Sequence, residues 1–110
     1  MNVRKLIAAA LIGFCAVLIT PIAEAYDGSA NAKITQTDVM PSTSYSFRVF
    51  GVTSFCATGT GGFAYLNSTD ANYSGLIATL LMAKTLGTSV LIYYNLVGGY
   101  CHIEYVTVGV

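Results

Sequence analysis

Residues 72–94 read NYSGLIATLLMAKTLGTSVLIYY, and within this stretch the apolar period changes from that of a helix to that of a strand. Tyr73, Leu76, Ile77, Leu80, Leu81 and Leu86 recur at a spacing of three and four, which lays an apolar stripe along a helix. Gly87 supplies a stop, because glycine adopts the left-handed conformation that closes helix C-termini. Ser68-Thr69-Asp70 offers capping side chains just ahead. The expectation is a helix over Asn72–Leu86. Its other side, with Ser74, Ala78, Met82 and Thr85, lacks the Glu and Lys of a solvent face, which points to burial on more than one side and so to a second subunit. Beyond Gly87, Val90, Ile92 and Tyr94 alternate with Ser89, Leu91 and Tyr93, and a strand is expected over Thr88–Asn95.

On either side of this stretch the chain reads as strands and turns. Tyr26–Ala32 has the composition of a loose lead-in, and Lys33–Met40 that of a weak, exposed strand ending at the turn cluster Pro41-Ser42-Thr43-Ser44. Tyr45–Ala57 carries the strongest strand signal. Tyr45, Phe47 and Val49 fall on one face, Ser46, Arg48, Phe50 and Val52 on the other, with Gly51 marking a bulge. Thr58-Gly59-Thr60-Gly61-Gly62 is a turn that lacks the lysine and helix of a phosphate loop, and Phe63–Leu66 leaves it as a short strand. Leu96-Val97-Gly98-Gly99 makes a hairpin connection into a last strand, Tyr100–Val108. Here Cys101, Ile103, Tyr105 and Thr107 share one face and His102, Glu104, Val106 and Val108 the other. The chain is therefore expected to be mainly β with one helix, in the order β-β-β-α-β-β. That is the chain order of the OB-fold, a five-stranded Greek-key barrel; an open sheet crossed by a helix is the alternative. No repeat, linker or second domain is apparent.

The first 25 residues read differently from the rest. Arg4 and Lys5 precede an apolar run, Leu6–Ile19, and Ala23-Glu24-Ala25 ends the segment, which is the pattern of a cleavable signal peptide. The run falls short of the roughly twenty residues a membrane span requires. Phe14 before Cys15 is too bulky for lipoprotein processing. Cleavage after Ala25 leaves a single domain over residues 26–110, secreted or periplasmic, with no membrane span. Within it Lys33, Arg48 and Lys84 face Asp27, Asp38, Asp70 and Glu104, so there is no basic patch to attract nucleic acid. Cys15 leaves with the leader. Cys56 and Cys101 remain, and in an oxidising compartment they are expected to pair.

Catalytic chemistry finds little to work with. His102, the sole histidine, shares a strand face with Glu104, but no nucleophile elbow and no defining pair of carboxylates accompanies them. Two cysteines with His102 nearby make a poor zinc site. The sequons Asn67-Ser68-Thr69 and Asn72-Tyr73-Ser74 read as incidental beside a short leader of bacterial type. A non-enzymatic protein with no catalytic residues, cofactor or metal is expected. All eight tyrosines lie after the leader, and tyrosine suits sugar stacking and subunit contacts alike. Tyr93, Tyr94 and Tyr100 flank the last hairpin; with His102 and Glu104 they are the candidate ligand-binding residues.

The run Asn72–Gly87 followed by Val90-Leu91-Ile92-Tyr93-Tyr94 resembles the helix-and-strand segment of the pentameric B subunits of subtilase-cytotoxin-like bacterial toxins, and also many small secreted proteins sharing the pattern. That resemblance spans about Ile34–Val108, with these residues its distinctive part. It implies an OB-fold, export, five-fold self-assembly and glycan recognition, and no individual sugar-contacting position is carried over from it. The competing expectations are a periplasmic inhibitor or immunity-type protein acting on a protein partner, and a small hydrolase using His102 and Glu104.

Overall fold

The computed structural model describes residues 26–109. The segment read as a signal peptide, residues 1–25, lies outside the described residues. The elements are β1 (Gly28–Val39), β2 (Phe47–Gly51), β3 (Ala64–Leu66), α1 (Tyr73–Leu86), β4 (Ser89–Val97) and β5 (Tyr100–Val108). This is the mainly-β chain with one helix and five strands that the periodicity called for. The strands close on themselves in the order β1-β2-β3-β5-β4, with β4 pairing back onto β1. Neighbours are antiparallel except β3 and β5, which run parallel.

Closure puts one side of every strand inside. Phe47, Val49, Ala64, Leu66, Val90, Ile92, Cys101 and Ile103 meet there with almost no exposed surface. The helix packs on β1, β4 and β5 and adds Leu80 and Ala83 to this core, with Tyr73, Leu76 and Ile77 partly buried. The stripe read from the sequence is thus corrected at its edges. Leu81 and Leu86 point outward, 40% and 70% exposed, and Ala83 takes the inward place. Apolar residues occupy nearly the whole circumference of α1, so spacing alone does not choose the buried side. The C-terminus is as expected, with Gly87 at φ +67° and its N–H bonded to helix carbonyls. The N-terminus is not: Asn72 is itself left-handed at φ +58°, and no side chain caps the first turn.

β1 begins at Gly28 rather than Lys33, because Gly28–Lys33 pairs with β4 from Tyr94 to Ser89. Small residues with weak strand preference are recruited there by the ladder and by close packing. A Cβ on Gly28 would stand 2.5 Å from the Tyr94 hydroxyl, so this glycine makes room for the buried ring. β2 is shorter than expected and stops at Gly51, where a Cβ would collide with the Phe55 ring at 2.7 Å. The bulge expected at Gly51 lies across from it on β1, between Ile34 and Gln36.

A second bulge has larger consequences. β5 pairs Ile103 with Tyr94 and Tyr105 with Tyr93, leaving Glu104 as the extra residue. The alternation read for this strand therefore inverts past Glu104. Tyr105 turns out to 52% exposure, while Val106 and Val108 pack against the core. The cysteine expectation holds: Cys56 and Cys101 form a buried disulfide, Cα atoms 5.6 Å apart, that ties the β2–β3 loop to the start of β5. Among the described residues no helix is long and apolar enough to cross a membrane.

Candidate functional site

Register decides which residues line the outside of the ring. Phe47 faces Leu66, and Val49 faces Ala64, which in turn faces Cys101; these are the inward pairs. The residues between them, Arg48, Tyr65 and His102, form the next rung and lie on the opposite side of the pleat. Around that rung runs a continuous aromatic ribbon. Ring centroids are 5.6 Å apart for Phe50 and Phe63, 5.8 Å for Phe63 and Tyr100, and 5.6 Å for Tyr100 and Tyr45. The ribbon continues from Tyr45 to Tyr65 at 4.3 Å and from Tyr65 to His102 at 5.2 Å. Such separations suit offset and edge-on aromatic contacts.

Tyr45 joins this ribbon because its backbone leaves the strand conformation. At φ +53° it sits in the left-handed region, which an aromatic residue seldom adopts. The ring therefore does not share the inner face with Phe47 and Val49, as alternation predicts, and the buried neighbour becomes Ser46, whose hydroxyl donates to the Leu66 carbonyl. The ribbon opens into a groove of about 540 Å³ lined by Ser42, Ser44, Tyr45, Arg48, Phe63 and Tyr100, together with Met40 and Gly61. The Arg48 guanidinium stands 5.2 Å over the Phe63 ring and donates to Asp38 at 3.0 Å. Its Nε is buried without a protein partner, a rare condition for a polar group.

At the far end of the ribbon three titratable groups meet. His102 Nε2 lies 2.7 Å from Asp70 Oδ2, and Nδ1 lies 2.6 Å from Glu104 Oε1. Asp70 comes from the β3–α1 loop and Glu104 from the β5 bulge, so loop and bulge are joined through one imidazole. Burial works against charge on His102, but hydrogen bonds to Glu104 and Asp70, reinforced by their negative charges, outweigh it and raise the pKa above 6.5. Tyr65 beside them is pushed up to about 12, chiefly by burial, then by Tyr45 and by the charges of Asp70 and Glu104. Both imidazole nitrogens are engaged, so neither is free to take a proton from a substrate. The two carboxylates sit on opposite sides of the ring and do not converge with it on one point. Among the described residues no three His, Cys, Asp or Glu side chains are arranged to hold a metal ion.

The five residues singled out from sequence fall in three places. Tyr100, His102 and Glu104 are brought together along the ribbon. Tyr93 lies in a separate aromatic group, 5.3 Å from Tyr26 and 5.7 Å from Tyr105. Tyr94 is 2% exposed, with its hydroxyl 2.7 Å from Thr58 Oγ1, so it is a core residue beyond the reach of a ligand. Sequence reasoning did not single out Tyr45, Arg48, Phe63, Tyr65 or Asp70. Arg48 had a signal, as the only charge inside the strongest strand pattern. Asp70 had none, since 32 residues separate it from His102. No protein-family model matches the chain and no curated protein does, which leaves this geometry to carry the functional reading.

Proposed function

We propose that this chain is an exported, non-enzymatic binding module of the OB-fold type whose outer groove takes a glycan. The ring order, the parallel β3–β5 pair and the helix between the third and fourth strands support the OB-fold reading; in that fold the face built on strands 2 and 3 binds oligosaccharides and oligonucleotides. The observation that carries the reading is the groove itself. Tyr45, Phe63 and Tyr100 offer flat apolar faces for a sugar ring, and Ser42, Ser44 and the Arg48 guanidinium stand beside them for its hydroxyls. A polynucleotide fits less well, since Arg48 is already neutralised by Asp38, and Asp70 and Glu104 follow along the ribbon. The doubly engaged His102 supports binding over turnover. The leader pattern and the Cys56–Cys101 bond support export.

A glycan array probed with residues 26–110 tests this. Tyr100→Ala should weaken binding to any hit about tenfold, equivalent to about 1.4 kcal/mol, while Tyr93→Ala, on another part of the ring, should leave it unchanged. An array without hits, or equal binding by the Tyr100 variant, removes the glycan from the account.

Self-association belongs to the same proposal. Leu81, Met82 and Leu86 lie exposed on the outward side of α1, an apolar surface that a second subunit would cover. Light scattering on residues 26–110 should return a mass near five subunits. The same surface also favours a second reading, an exported inhibitor or immunity-type protein that closes on a protein target; a strict monomer would move that reading forward.

A further inference from the structure

Tyr45 is the one groove residue whose position needs a backbone conformation that its own side chain disfavours. Strain of this kind persists only where surrounding contacts over-determine it, and it gathers at binding sites. The contacts here form a single hydrogen-bonded series. The Tyr45 N–H donates to Asn67 Oδ1 at 2.9 Å. The Asn67 N–H donates to Asp70 Oδ2 at 2.7 Å, and the same oxygen accepts from His102 Nε2 at 2.7 Å. Glu104 closes the series on the other imidazole nitrogen. Two backbone bonds fasten the same loop, from Ser68 N–H to the Thr43 carbonyl at 3.0 Å and from Asp70 N–H to the Asn67 carbonyl at 3.0 Å.

We infer that Asn67 and Asp70 are positioning residues for the groove, holding Tyr45 left-handed so that its ring forms the wall between Tyr65 and Tyr100. Neither lines the groove. Asn67 supplies the acceptor that the turned-out Tyr45 N–H requires, and Asp70 fixes Asn67 from behind while being fixed itself by His102. This explains why Asp70 does not cap α1: its carboxylate is committed to Asn67 and His102. The charged cluster at the end of the ribbon thereby acts on binding through the backbone of a residue that is several hydrogen bonds away. The functional half of this inference rests on the groove being the ligand site; the structural half does not.

The experiment compares Asn67→Leu, which keeps the volume and removes the acceptor, with Asn67→Asp, which keeps an oxygen in place. In NMR spectra of the free proteins, wild type and Asn67→Asp should show cross-relaxation between the Tyr45 and Tyr65 rings, and Asn67→Leu should lose it. Binding to a glycan found on the array should fall at least tenfold in Asn67→Leu and recover in Asn67→Asp. Retention of the ring contact in Asn67→Leu overturns the inference, as does loss of the contact with unchanged binding. If wild type binds no glycan, the groove reading falls and the ring contact still decides the positioning. If Asn67→Leu does not fold, hydrogen exchange at the Tyr45 amide of the wild type decides it: slow exchange supports the side-chain bond, and exchange at the rate of an open loop overturns it.

Discussion

Replacing both Cys56 and Cys101 with serine is expected to lower stability by about 4 kcal/mol, the loop-entropy value for a bridge between residues 45 apart. For a domain of this size that corresponds to a fall in melting temperature of roughly 15 °C or more. Several features make the full effect the right expectation. Both sulfurs are buried in the core, so each serine would place a hydroxyl where a sulfur packed. The bridge also reinforces a short ladder: β3 has three residues, and only Ala64 and Tyr65 pair with β5, beside one loop bond from the Thr60 N–H to the Gly99 carbonyl at 2.8 Å. Without the covalent link this seam is held by that short parallel ladder, the loop bond and the ring contacts of Phe63 with Tyr100 and Tyr65 with His102. Differential scanning calorimetry on oxidised wild type and the double variant measures this directly. A shift of only a few degrees would mean that the β3–β5 seam closes without the bridge.

The groove stands on the same seam. Tyr100 precedes Cys101, and Phe63 precedes Ala64, so two groove aromatics flank the junction that the disulfide fastens. An oxidising compartment then serves the proposed binding function as well as the fold, since a reduced chain would loosen the stacked pair 5.8 Å apart.

How much of this was legible in the sequence depends on the range of the determining interaction. α1 was readable because its period and its Gly87 stop are local, and the inward residues of β4 because Val90, Ile92 and Tyr94 alternate without interruption. The disulfide followed from compartment and count rather than from geometry. The first half of β1 was not readable, since Gly28–Lys33 forms a strand only against β4, some sixty residues later. The inversion in β5 was hidden for a related reason. A bulge is a property of two strands in register, and nothing in Glu104-Tyr105-Val106 alone announces that one residue will go unpaired. The site inherits these limits. Tyr100, His102 and Glu104 alternate along one strand, so a short window of sequence groups them. Tyr45, Phe63, Tyr65 and Asp70 reach them through a turned backbone, a parallel pairing and a loop contact, none of which leaves a mark within a short window.

His102→Gln should cost about 2 kcal/mol near pH 5.5, as expected when a charged partner is removed from between two half-buried carboxylates. Glutamine keeps much of the volume but donates through one amide, so either Asp70 or Glu104 must face an oxygen or open to water. These carboxylates are 18% and 31% exposed, which softens the loss relative to a fully buried ion pair. The pH dependence separates charge from packing. His102 binds its proton more tightly in the folded state, because two carboxylates overcome the effect of burial. Its contribution is then complete below the ordinary value of 6.5 and is lost as pH rises through the higher folded-state value. Above that value the wild-type imidazole is neutral and donates to one carboxylate only, much as the glutamine does. Asp70 is the less exposed of the two and also accepts from Asn67, whereas Glu104 lines an open crevice of about 390 Å³ with Asn72, Gly75 and Tyr105. Urea unfolding of wild type and His102→Gln across this range should show the gap narrowing as pH rises. A gap that stays constant would assign His102 a packing role with no contribution from its proton.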